Sequence, residues 1–72
     1  MSKQPVCSGA EAVRAFRKLG YEVDHQTGSH IILRTASGRR LTIPNHRELA
    51  KGTLRAIIRE AGISKDEFAG LL

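Results

Sequence analysis

The turn at Thr27-Gly28-Ser29 restricts the possible folds of this chain more than any other stretch. Glycine takes the positive φ of a tight turn without steric cost, and a serine hydroxyl can satisfy a turn amide. Strand formers flank the turn. Tyr21-Glu22-Val23-Asp24-His25-Gln26 alternates apolar and polar residues, as a half-buried strand does, while His30-Ile31-Ile32-Leu33-Arg34-Thr35 is dominated by β-branched and apolar side chains. A hairpin is expected, with His30 at the first position of its second strand. Ala36-Ser37-Gly38 gives the next connection and Arg39 to Ile43 a third strand. Pro44 ends that strand, because proline has no N–H for the ladder.

A three-stranded meander this small is not stable alone, so helices must cover one face. Ser8-Gly9-Ala10-Glu11 has the spacing of a capping box, which predicts a helix to about Leu19 that stops at Gly20. Val13, Phe16 and Leu19 or Gly20 fall on one stripe, with Arg14, Arg17 and Lys18 on the outside. A second helix opens at Lys51-Gly52-Thr53. Its Leu54, Ile57, Ile58 and Ala61 recur at i, i+3, i+4 and i+7, and Gly62 closes it. Ser64-Lys65-Asp66-Glu67 repeats the capping-box pattern ahead of a short last helix carrying Phe68 and Leu71. The predicted order is α-β-β-β-α with a short C-terminal helix. That is an α+β domain spanning residues 1–72, with helices on one face of an antiparallel three-stranded sheet. Met1 to Val6 is a polar lead expected to fray.

Charge narrows the function. Twelve Lys and Arg against seven Asp and Glu give a net charge of +5 on 72 residues, which suits a polyanionic partner, although a merely soluble basic surface has the same composition. With only Phe16, Tyr21 and Phe68 as aromatics, a platform that stacks single-stranded bases is not expected. Cys7 is the one cysteine, so no intramolecular disulfide is possible, which fits a reducing compartment. No apolar run is long enough for a signal peptide or a membrane span, so a cytoplasmic location without membrane association is expected. Cys7 and the three histidines lack zinc-finger spacing, and no metal or other cofactor is called for. A helix start just after Cys7 would favour thiolate, but no histidine is placed nearby to partner it, and a packing role is preferred.

The residues also resemble a known family. Gly28-Ser29-His30, then Ser37-Gly38-Arg39-Arg40, a strand ending Ile43-Pro44-Asn45-His46, and Lys51-Gly52-Thr53-Leu54-Arg55 through Ala61-Gly62-Ile63 resemble, in matching order, the motifs of the HicA toxins. The resemblance runs from about Ser8 to Phe68. It implies a fold like the double-stranded RNA-binding domain, mRNA interferase activity without a metal, and inhibition by a HicB-type antitoxin. It also implies that His30, in the Gly-Ser-His motif, is the catalytic residue. One departure is Ile31, where many members carry a second histidine or a basic residue; on sequence grounds it bears on RNA affinity more than on catalysis.

RNA cleavage of this kind needs a proton taken from the 2′-hydroxyl, a stabilised pentacoordinate transition state and a protonated leaving oxygen. Imidazole suits either transfer because its ordinary pKa is about 6.5. His30 is read as the general base, against the alternative of a rim histidine that bonds a turn carbonyl. His25 precedes the turn and, if it lay opposite His30, would complete an acid/base pair. His46 sits in a basic loop with Arg47 and Lys51, where structural and phosphate-binding roles compete. Ser29, beside His30, joins the candidate RNA contacts. Lys51 and Thr53 stand at a helix N-terminus, where free amides and the dipole favour phosphate; an ordinary cap at Gly52 or Thr53 is the alternative. Arg55 and Arg59 extend that strip, and Arg34, Arg39 and Arg40 are guanidinium candidates for phosphate oxygens. For each arginine singly, a solvated surface role competes.

Three rival readings differ in what they require. A non-catalytic RNA-binding module would keep its effect without His30. A helix-turn-helix DNA reader over Leu54 to Leu72 would have a recognition helix barely two turns long, opening on Asp66 and Glu67, which repel DNA. Direct DNA binding without the antitoxin is therefore not expected. A purely structural partner protein would show the same basic face, since an acidic antitoxin and RNA seek the same charges.

Overall fold

The structure, a computed structural model, describes residues 4–72. The order is α1 (Gly9–Arg17), β1 (Glu22–Thr27), β2 (His30–Arg34), β3 (Arg40–Pro44), α2 (Lys51–Ala61) and α3 (Lys65–Leu71). The strands form one antiparallel sheet in the order β1-β2-β3, so the fold is the α+β arrangement expected from the sequence.

Local chemistry explains the helix starts. Ser8 Oγ accepts from Glu11 N (3.0 Å) while Ser8 N donates to Glu11 Oε1 (2.8 Å), completing the first capping box. Ser64 Oγ accepts from Glu67 N (3.0 Å), so the second box forms its serine half. α2 begins at Lys51 without a side-chain cap, its N-cap being Ala50, so Thr53 is not the cap. It ends at Gly62, as expected.

The core lies between the helices and one face of the sheet. Ile31 and Leu33 of β2 and Leu41 and Ile43 of β3 are buried and directly paired, and Leu54, Ile57, Ile58 and Ala61 of α2 close on them. Phe16 joins α1 to the rest, with Tyr21 edge-on at 5.8 Å and Phe68 at 5.2 Å between ring centroids. All three aromatics are buried, so none is presented for base stacking.

Four expectations need correction. Leu19 lies beyond the end of α1 and is 37% exposed, because the helix stops at Arg17 and a turn carries the chain outward. β1 is exposed at all six positions rather than half-buried. It is an edge strand with an irregular register between Val23 and His25, and the buried anchor is Tyr21, just before it. The Tyr21–Gln26 alternation therefore does not report burial. Part of the lead expected to fray is held: Gln4 Nε2 donates to Lys51 O (2.8 Å), and just after the lead Leu49 N donates to Cys7 O and Gly9 N to His46 O (both 2.9 Å). Met1 to Lys3 lie outside the described residues. Ile31 faces the core opposite Ile43, so a different residue there changes packing rather than an RNA-facing surface.

Candidate nucleic-acid interface and acid/base site

The outer face of the sheet carries no helix and is laid out in rows by the strand register. Thr27, His30 and Pro44 form the rim row, and His25, Ile32 and Thr42 the middle row. Arg34 and Arg40 pair in the far row, beside Glu22. These positions alternate with the buried Ile31, Leu33, Leu41 and Ile43, so one pleat sends the core inward and the histidines and arginines outward.

His30 is held by the turn before it and the strand beside it. Gly28 has φ +58°, the left-handed conformation expected of it. The side chain that braces the turn is Gln26, whose Nε2 donates to Gly28 O (3.0 Å). Ser29 contributes through its carbonyl instead of its hydroxyl, accepting from Asn45 N at 2.6 Å. That bond carries the β2–β3 pairing one residue past His30, and the next residue, His46, accepts at its carbonyl from Gly9 N. Gly9 packs behind it: a β-carbon there would collide with Pro44 O and lie 3.1 Å from Asn45 Cα, so the start of α1 rests directly on the end of β3. Gly9 was not recognised as a site residue from sequence, because the contact joins segments far apart in the chain.

Asp24 was also missed. Lying in the irregular stretch of β1, its carboxylate meets His25 Nδ1 at 2.7 Å and approaches Arg34 and Arg40 at 3.9 Å each. The His25 hydrogen bond, reinforced by the two guanidinium groups, holds the Asp24 carboxyl below the usual carboxylate range. The only available signal was its place directly before His25; the bulge that turns both toward one face is not legible in residue types. The register puts Thr27, not His25, opposite His30; His25 is the diagonal neighbour on the same face.

The other candidates fall elsewhere. Arg39 donates from its guanidinium to Glu60 O (3.2 Å), tying the start of β3 to the end of α2, away from the rim. Lys51, Thr53, Arg55 and Arg59 are exposed on α2, in the helical layer rather than on the outer sheet face. Lys51 and Arg55 line a groove of about 480 Å³ with Gln4, Val6, Leu49 and Lys65. A second groove of about 500 Å³ lies by Tyr21, Ser37 and Ala61. Neither includes His30, whose face is open. Cys7 is buried, and burial pushes its thiol pKa up, aided by nearby Glu11, which opposes the thiolate that a helix start would favour. Among the described residues, no three His, Cys, Asp or Glu side chains are grouped as a metal site would need, and no helix is long and apolar enough to cross a membrane.

The model of the family described as the HicA toxin of bacterial toxin-antitoxin matches residues 9–63, from the first residue of α1 to just past α2. No curated protein matches the chain.

Proposed function

The chain belongs to the HicA toxin family of bacterial toxin–antitoxin systems, and from that premise we propose that it is an endoribonuclease that cuts mRNA without a metal, with His30 as its acid/base group. The observation that carries this reading is the exposed His30, whose backbone stands at a braced rim where an open sheet face carrying Arg34 and Arg40 begins. His30 in its neutral form takes the proton of a 2′-hydroxyl, and the freed oxygen attacks the adjacent phosphorus.

Ser29 precedes His30 in the rim turn and His46 follows the residue bonded to Ser29, while Arg34 and Arg40 stand four residues along the same face; Ser29 and His46 contact RNA near the scissile phosphate and the two arginines hold its backbone farther along the sheet. Lys51, Thr53, Arg55 and Arg59 engage a flanking segment of RNA along α2, whose first amides have no side-chain cap. Arg39 is left out of this set because its guanidinium is engaged by Glu60. The cognate antitoxin is of the HicB type and silences the toxin by covering the basic surface that RNA uses.

Induced expression of wild type and His30→Ala, each shown to be folded by circular dichroism, tests the reading. Growth arrest with loss of bulk mRNA is expected for wild type alone. Equal toxicity from both proteins would favour a non-catalytic RNA-binding module and reject His30 as the reactive group.

A further inference from the structure

Resting on that reading, we infer that His25 is the second acid/base residue of the cleavage, donating a proton to the leaving 5′-oxygen while His30 works on the 2′-hydroxyl. Three observations place it there. The register puts His25 opposite Ile32, two residues along β2 from His30, so the two imidazoles are diagonal neighbours on the outer sheet face. Such neighbours lie roughly 7–8 Å apart, room for a phosphodiester between two rings. The His25 Nδ1 is held by Asp24 Oδ2 at 2.7 Å, which orients the ring and leaves Nε2 for the second proton transfer. The ring is also accessible, its side chain 51% exposed.

The step balances. His30 accepts the 2′-hydroxyl proton, the 2′-oxygen bonds to phosphorus, and the P–O5′ bond breaks. His25, entering as imidazolium, gives its Nε2 proton to O5′. The products are a 2′,3′-cyclic phosphate and a 5′-hydroxyl, and exchange with water restores both histidines. The charged groups facing His25 are Asp24 and Glu22 on its own strand, His30 and Arg34 on β2, and Arg40 on β3; Glu22 is itself within 3.6 Å of Arg17 of α1. Asp24 is a positioning residue, since it acts through the His25 ring.

The test measures cleavage of a short RNA by protein made in a cell-free system, across acid to alkaline pH, for wild type, His25→Ala, Asp24→Asn and His30→Ala. Two substrates are compared, one normal and one with sulfur replacing the 5′-oxygen at the scissile bond, a leaving group that needs no protonation. Wild type is expected to give a bell-shaped profile. His25→Ala should cleave the normal RNA about 10²-fold more slowly or worse and lose the alkaline limb. It should recover to near the wild-type rate on the sulfur substrate. Asp24→Asn should shift the alkaline limb, and His30→Ala should lose the acid limb without rescue by sulfur. A wild type that cleaves, with His25→Ala equally fast or slow on both substrates, would overturn the role of His25 and leave that of His30 standing. A wild type that cuts neither RNA would overturn the ribonuclease reading and this inference with it.

Discussion

A β-carbon on Gly9 would occupy the place of the Pro44 carbonyl oxygen, and the Gly9 amide already donates to His46 O. Two backbones therefore meet directly behind the rim that carries His30. Gly9→Ala must push β3 away from α1 or distort the helix start, and overpacking of this kind costs about 1–3 kcal/mol. We expect a correspondingly lower urea midpoint with unchanged secondary structure, and slower RNA cleavage because the Ser29–Asn45 brace shifts. A midpoint within error of wild type would show that the contact yields easily. The rim histidine itself was legible from residue types, because glycine, serine and a β-branched run specify a turn and what leaves it. Asp24 and Gly9 were not, since each acts through a partner that only the folded register supplies.

At the scale of elements, the capping box of α1 has a distinct pH signature. The bond from the Ser8 backbone amide, then the Ser8 hydroxyl and Arg14, hold the Glu11 carboxyl below its ordinary value. A carboxyl whose folded pKa is depressed contributes its full stability above the unfolded value and loses it as pH falls through the folded one. Wild type should thus exceed Glu11→Gln in stability at neutral pH, with the gap closing in acid. Ser8→Ala should cost about 1 kcal/mol at neutral pH. Urea titrations at several pH values check both, and a gap that persists in acid would remove the carboxylate from the account. The helices were legible because capping and i, i+3, i+4 periodicity are local; all four residues of the predicted α2 stripe are buried. β1 was legible only as a strand. Its alternation implied a buried face, yet a sheet edge and a bulge leave all of it exposed.

The whole molecule is a two-layer slab of 35 × 25 × 17 Å, thin enough that covering the core uses one sheet face and leaves the other bare. Its basic residues are correspondingly divided: Arg34 and Arg40 lie on the outer sheet face with the histidines, while Lys51, Arg55 and Arg59 lie on the helical layer. The strip along α2 was legible from the sequence, but the face taken by Arg34 and Arg40 was not, because Ile31-Ile32-Leu33 lacks alternation. On the proposed reading, RNA runs from the rim along the sheet face, its flanking segment meets the second basic surface on α2, and the antitoxin covers the surface that RNA uses. His30 is proposed to perform the chemistry at the edge of the open face. The most direct test is single-turnover cleavage of a defined mRNA fragment by purified wild type and His30→Ala in the presence of a metal chelator, with RNA binding measured in parallel. Cleavage by wild type under chelation, a rate about 10²- to 10⁴-fold lower for His30→Ala, and similar binding by both are expected. Equal rates for the two proteins, or cleavage that stops when metal is removed, would contradict the proposal.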